Sequence, residues 1–156
     1  MSIERARAYL KEYGLEEQIM EFPVSSATVA EAALAVGCRE QEIAKTLSFL
    51  VDEHPILIVA AGDARIDNAK FKATFHTKAK MIPFEVVESL IGHAVGGVCP
   101  FGVCEGVTVH LDESLKRFEA VYPACGSSNS AIRLTPAELA RIVPTATWLD
   151  VCKLPE

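Results

Sequence analysis

A chain of 156 residues, half of them hydrophobic and 23% charged, has the balance of one soluble globular domain spanning residues 1–156, long enough to bury a core. Its net charge of −6 argues against non-specific duplex binding, which needs a basic face. No apolar run approaches the roughly 18 residues that cross a bilayer, and residues 1–7 lack the apolar core of a signal peptide, so a cytoplasmic protein with no membrane partner is expected.

The five cysteines are scattered and odd in number, a poor disulfide framework. Cys99 and Cys104 form a loose pair, but no second pair follows, and only His93 and His110 lie nearby in sequence. Tetrahedral metal sites usually show two paired-ligand motifs, so neither a metal nor another cofactor is expected.

Along the chain, Ile3, Ala6, Leu10 and Tyr13 recur at helical spacing, which predicts a helix over 2–13 stopped by Gly14. The segment through Phe22 and Pro23 reads as extended. A second helix starts within residues 25–28, where Ser26 or Thr28 caps and Glu31 completes a capping box with Thr28. Small alanines follow, up to a stop at Gly37. Residues 40–44 read as a short turn or helical piece delivering Lys45, residues 46–52 as a strand, and 53–55 as a turn. The apolar run 56–61 is a strand buried on both faces. Asp67 caps a helix over 68–75. Pro83 suits the first position of another helix, with Val86, Val87, Leu90 and Ile91 on its apolar face and Gly92 as its stop. Strands at 106–111, 119–123 and 131–134 follow, then a helix capped by Thr135 with Pro136 in its first turn. Residues 148–151 close the sheet. Several strands are joined by turns too short for a helical crossover, so the sheet is mixed.

Chemistry concentrates in three stretches. Lys45 sits in the apolar run Ile43-Ala44-Lys45-Thr46-Leu47. It is either a surface lysine at a strand start or a partly desolvated one facing a pocket, where its charge can bind an anion or polarise a carbonyl. Residues 96–102 hold three glycines and a proline. Successive N–H groups of Gly96, Gly97 and Val98 can form an anion nest or oxyanion hole with Pro100 stiffening its far side, or the stretch is a structural turn. Residues 125–130 offer hydroxyls and backbone donors, without a dinucleotide or Walker pattern. Asp112, at a strand end, either caps the following residues or serves as a pocket carboxylate. A cysteine nucleophile with His93 or His110 is selected by no spacing, and buried thiols are usually inert. Arg65, Lys70, Lys72, Lys78 and Lys80 face only Asp63 and Asp67 in sequence, a basic segment that can steer a polyanion or simply be a solvated face.

Three pieces stand in order: Ser-Ser-x-Thr-Val-x-x-Ala-Ala (25–33), Ile-Ala-Lys-Thr-Leu (43–47) and Gly-Gly-Val-x-Pro-Phe-Gly (96–102). Together they resemble the YbaK/EbsC family, the aminoacyl-tRNA deacylase or editing domain found free-standing and inserted in bacterial prolyl-tRNA synthetases. The resemblance covers essentially the whole chain; Cys99 departs from it, and bears on pocket shape. It implies a mixed, barrel-like α/β fold with helices around the sheet, and hydrolysis of the ester joining a wrong amino acid to the terminal ribose of a tRNA. By it, Lys45 matches the family's functional lysine, with Gly96 and Gly97 beside it in the catalytic set. Thr28, Val98, Pro100, Phe101 and Gly102 are the expected substrate-binding residues, joined by Asp112, Gly126 and Ser127. Arg65, Lys70 and Lys72 are the expected tRNA contact. The expected partners are a mischarged tRNA and, for added affinity, a synthetase or elongation factor. A non-catalytic module of the same fold and a cysteine-dependent hydrolase are the competing readings.

Overall fold

The computed structural model describes residues 2–155. Helix α1 (Ser2–Lys11) buries Ala6 and Leu10 and unwinds through turns to Gly14, whose φ of 73° ends the helical path. The next segment is not uniformly extended: Glu16–Gln18 form a 3-10 turn, and only strand β1 (Met20–Glu21) pairs. Helix α2 (Val29–Val36) starts as expected. Thr28 Oγ1 accepts from Glu31 N at 3.1 Å while Glu31 Oε1 accepts from Thr28 N at 3.3 Å, and Gly37 closes the helix in the left-handed region.

Strand β2 (Ile43–Val51) begins earlier than the sequence suggests, so Lys45 lies inside it rather than ahead of it. The cause is tertiary. Ile43 and Ala44 pair in parallel with Tyr122 and Pro123, extending the strand backwards. The connection to β3 (His54–Ala61) is also one residue tighter than expected. Asp52 and Glu53 both take positive φ, 51° and 66°, and pack the reversal into two residues, leaving His54 and Pro55 to the strand. β2 and β3 then pair antiparallel from Val51–His54 back to Ala44–Ala61, with 57–61 wholly buried.

Strand β4 (Arg65–Ile66) leads to α3 (Asn68–Phe75), capped by Asp67. Phe71 of α3 packs against Phe49 of β2, the rings tilted by 59° with centroids 5.2 Å apart. Pro83 stands just before a 3-10 turn (Phe84–Val86) that precedes α4 (Val87–Ile91), and Val86, expected on the apolar face, is 38% exposed. Strands β5 (Thr108–Asp112), β6 (Tyr122–Pro123) and β7 (Ser130–Ala131) follow, the last two shorter than expected; the rest of those stretches meet each other, through an antiparallel bridge between Val121 and Leu134 and a bond from Ile132 N to Pro123 O at 3.0 Å. Helix α5 (Pro136–Ile142) has its Thr135–Glu138 capping box. Strand β8 (Thr147–Leu149) then closes the edge beside β5, and β9 (Cys152–Lys153) pairs with β4.

The main sheet runs β6-β2-β3-β5-β8 and curls into a half-barrel. Only β2–β3 is antiparallel; the other neighbours are parallel, the mixed α/β arrangement expected. The large core includes Leu57, Ile58, Phe71, Phe101, Leu111 and Leu115. A smaller cluster sets Ala32 and Ala33 of α2 against Ile43, with Val29 and Tyr122 partly buried beside it.

The turn leaving β3 passes extremely close to the 3-10 turn Glu40–Glu42. A Cβ on Gly62 would lie 2.0 Å from the Glu40 carbonyl oxygen and 2.9 Å from Val29 Cγ1. The nearer obstacle is backbone and cannot rotate away. Gly62→Ala is therefore expected to destabilise the fold by about 1–3 kcal/mol or more, as overpacking does. A urea unfolding midpoint equal to wild type would show that these two turns separate freely.

Candidate functional site

A cavity of about 360 Å³ opens between the start of α2, the first half of β2, residues 81–87 and the loops around 96 and 130. Most of its wall is apolar, including Ala27, Val29, Ile43, Leu47, Ile82 and Val98. Hydroxyls of Ser26, Thr28, Thr46, Ser48, Tyr122 and Ser130 interrupt that surface. Among its lining residues there is one charged side chain, Lys45, and no carboxylate or imidazole.

Lys45 is half-buried. Its Nζ donates to the carbonyl of Gly62 at 3.3 Å and to that of Ala64. The β2–β3 hairpin explains the meeting: Lys45 pairs with Ala60, so the turn after Ala61 returns alongside the lysine. Asp63, between the two acceptors, points its carboxylate elsewhere. Arg117 grips it with two bonds, Nη2–Oδ1 at 2.6 Å and Nη1–Oδ2 at 3.2 Å. That hydrogen bonding holds the Asp63 pKa below its ordinary value. Burial lowers the Lys45 pKa below the usual 10.5, against a smaller opposing pull from Cys152 and Asp63. Of the two sequence readings of Lys45, this is the partly desolvated, cavity-lining one.

The glycine loop divides into parts with different work. Gly96, at φ 98°, and Val98 line the cavity. Gly97 does not line it. Its missing Cβ would fall 2.6 Å from the Gly126 carbonyl carbon and the Ser127 nitrogen, so the two glycine loops touch backbone to backbone. The Gly97 N–H also donates to the Ala94 carbonyl at 3.0 Å, which removes the middle donor from the expected three-amide nest. Gly126 thus acts as the surface against which Gly97 packs. Ser127 Oγ lies 2.9 Å from Asn129 Oδ1 and 2.7 Å from Ser130 Oγ, inside its own loop.

Several expected substrate contacts lie away from the cavity. Pro100 and Phe101 are buried behind the loop, Phe101 against Tyr9 of α1 at 6.1 Å. Gly102 packs on α1 as well. Arg5 Nε donates to its carbonyl at 2.8 Å, and an added Cβ would sit 2.6 Å from Arg5 O. These residues anchor the loop. Asp112 follows its capping alternative: its Oδ2 accepts from Ser114 N at 2.9 Å and its Oδ1 from Val151 N at 3.0 Å. It borders a separate depression with Lys70 and Cys152. Thr28 does line the cavity while capping α2.

Of the expected tRNA contacts, none lines the cavity. Lys70 Nζ donates to Asp150 Oδ1 at 3.0 Å and to the Cys152 carbonyl at 2.9 Å, whereas Arg65 and Lys72 are exposed. The thiols near the glycine loops are unsuited to nucleophilic work. Cys99 and Cys125 are fully buried, and burial pushes Cys99 up to about 12 and Cys125 well above its ordinary value. Cys99 Sγ lies 3.5 Å from His93 Nε2, which donates to the Phe101 carbonyl at 2.6 Å, so Cys99 acts on the loop from behind.

The sequence reading missed the carbonyls of Gly62 and Ala64, and the apolar residues Met81, Phe84 and Val95 at the cavity. Gly62 carried a signal, a glycine directly after a buried strand. The other four carried none, because the fold, not the local sequence, brings them to the cavity or to Lys45.

Residues 24–142 match the aminoacyl-tRNA editing domain family. The chain is 51% identical over 155 residues to the uncharacterized protein YwhH of Bacillus subtilis (strain 168), covering 98% of each. The crystal structure of a candidate trans-editing enzyme for prolyl tRNA synthetase superposes with a TM-score of 0.87 at 31% identity, covering 97% of both chains. The proline–tRNA ligase of Bacillus cytotoxicus is 26% identical over 124 residues, which are 79% of this chain and 22% of the ligase, so the chain spans only about a fifth of that enzyme. With the match over residues 24–142 and a relative sharing half its residues end to end, the chain belongs to the aminoacyl-tRNA editing domain family.

Proposed function

We propose that the protein is a trans-acting aminoacyl-tRNA deacylase, which hydrolyses the ester of a tRNA mischarged with a small amino acid such as alanine, cysteine or serine. The observation that carries this reading is a lone ammonium, Lys45, in the wall of a small, mostly apolar cavity beside the backbone of Gly96. The family supports the substrate class. The relative described for prolyl tRNA synthetase makes a proline-accepting tRNA the first one to test.

The physical need for such a site is simple. A synthetase discriminates against a side chain lacking one methylene by only about 1–3 kcal/mol, so a second, smaller site adds selectivity. The aminoacyl ester is already activated, and water is a sufficient nucleophile if the developing oxyanion is stabilised. Water adds to the carbonyl carbon, the bond to the ribose oxygen breaks, and that oxygen takes the proton. An ammonium has three donors. Gly62 and Ala64 use two, and the third is left for the ester carbonyl or the terminal phosphate. With the Gly97 amide committed, Gly96 and Val98 are the candidate backbone donors. A ribose hydroxyl of the substrate can supply the proton transfer that no lining side chain offers.

That lack of a lining carboxylate or imidazole also favours one other reading, a module that grips the aminoacyl end without turnover. A panel of tRNAs charged with alanine, cysteine, serine, threonine or proline separates the two. The deacylase reading expects turnover of one or two, reduced by about 10²–10³ in Lys45→Ala, the usual cost of losing an oxyanion donor. Tight binding with the ester intact in every case would favour the module. Full activity of Lys45→Ala would remove the lysine from the mechanism.

The pH profile tests the charge state. Burial moves the loss of the Lys45 proton below 10.5. If the ammonium is the working form, the catalysed rate, corrected for spontaneous ester hydrolysis, falls as pH rises through that lowered pKa. A corrected rate that climbs over the same range would identify the neutral amine as a base instead.

A further inference from the structure

Three large apolar side chains both line the cavity and stand largely in water: Met81 at 62% exposure, Phe84 at 72% and Val95 at 49%. A residue that does both stands at the mouth. Other exposed apolar side chains, such as Leu34 and Leu154, do not line the cavity. The mouth is also built on fixed backbone. Leu50 N donates to Lys80 O at 2.8 Å and Ile82 N donates to Ser48 O at 3.2 Å, so residues 80–82 run as an extra rung along the strand that carries Lys45. Phe49 and Met81 form the antiparallel bridge between them. Phe84 follows directly, on the 3-10 turn after Pro83. Strand pairing therefore fixes Met81 on the strand that carries Lys45, and Phe84 stands two residues past the paired segment.

We propose that Met81, Phe84 and Val95 form a stacking platform for the purine base of the terminal adenosine, the nucleoside whose ribose carries the ester. The ligand's identity rests on the deacylase reading, but the platform requires only binding of a tRNA end, not turnover. The chemistry fits on three counts. Lys45 and the exposed Met81, Phe84 and Val95 line one cavity, so an ester seated at the ammonium puts its nucleoside toward the mouth. A purine presents a flat apolar face, and aromatic and apolar side chains are the usual partners of unstacked bases. Lys80, next to Met81, and Lys78, three residues before it, are both exposed and supply positive charge close in sequence to the mouth, available to the adjoining phosphates. That places the nucleic-acid contact at the end of the basic segment, rather than at Lys70, which Asp150 and the Cys152 carbonyl already hold.

The chain has three methionines, Met1, Met20 and Met81, so a spectrum of protein labelled with ¹³C at the methionine methyls reports the mouth directly. Met81→Leu assigns its resonance. The probe is an RNA trinucleotide, 5′-CCA-3′, with the same trinucleotide lacking its terminal base as control. The platform expects a saturable upfield shift of the Met81 methyl by CCA and none by the abasic control. Phe84→Ala should raise the Kd by roughly ten- to hundredfold, the usual range for losing one base stack, whereas Phe84→Trp should bind at least as well as wild type. Because Phe84 is mostly exposed, neither variant should disturb folding. An unmoved Met81 methyl, equal shifts by the abasic control, or equal affinity in Phe84→Ala would each overturn the platform. So would a Met81 shift that follows protein concentration without RNA, together with sedimentation as a dimer, since a second copy would then cover this face. The two proposals fail separately. Wild-type protein that cleaves no mischarged tRNA, yet binds CCA through Phe84, ends the deacylase reading and keeps the platform. Cleavage with an unchanged KM in Phe84→Ala and a silent Met81 does the reverse.

Discussion

A cation in a mostly apolar wall is costly to desolvate, and the site depends on how Lys45 meets that cost. It is held by two neutral carbonyls, those of Gly62 and Ala64, and by no carboxylate among the described residues. Asp63 lies between the two acceptors in sequence, but Arg117 takes its carboxylate. The distinction matters for function. A direct ion pair would neutralise the ammonium, whereas carbonyl dipoles hold it in place with its charge still available to a ligand. The arrangement in turn depends on the turn after β3, which packs so tightly against Glu40 that only glycine fits at position 62.

The opposite wall rests on a second close approach. Gly97 meets the backbone of Gly126 and Ser127, and the Ser128 carbonyl accepts from the backbone N–H of Ser26 at 2.6 Å, just ahead of the Thr28 cap. Three segments distant in sequence are thereby locked together: the start of α2, the loop at 96 and the loop at 126. Phe101 and Gly102 extend the lock to α1. Side chains are small where these segments meet, as at Ala27, Ala124 and Ala131, so the backbone can close up while a cavity remains. The glycines of this motif thus divide between exposing backbone at the cavity, as Gly96 does, and permitting close packing behind it, as Gly97 and Gly102 do.

Local chemistry was legible in the sequence. The Thr28–Glu31 and Thr135–Glu138 capping boxes, the Asp67 cap and the buried strand at 56–61 each follow from a few adjacent residues, and each is present. Lys45 and Gly96, which both line the cavity, stood out because a lysine in an apolar run and a glycine-rich loop are locally unusual. What failed to show was everything set by pairing across the fold. The start of β2 shifted because Tyr122 and Pro123 pair with it, and residues 80–82 became a rung on β2 without a strand signature of their own. The three-amide nest lost its middle donor for a local reason instead. Three consecutive amides look equivalent in sequence, and only the loop's own turn, Gly97 to Ala94, shows that one is occupied.

The composition of the cavity constrains how the proposed selectivity can work. A hydrophobic pocket discriminates weakly against one added or missing methylene, and it rejects an added hydroxyl poorly. A pocket lined by Ser48 and Ser130 as well as by apolar groups can receive a hydroxyl without leaving it unpaired, so alanine and serine are not separated by polarity alone. Exclusion by size is the stronger lever here. Val29, Ile43 and Val98 are branched and cannot yield as Met or Lys would. Their backbones belong to a capped helix, a paired strand and a loop pinned by glycine contacts, so the walls cannot easily retreat. Under the proposed deacylase reading, a bulky aminoacyl group would be held away from Lys45 by packing, while a small one would reach the ammonium. On this physical basis a site with no lining acid or base can still be selective, because admission to the charge, not the strength of the chemistry at it, does the sorting.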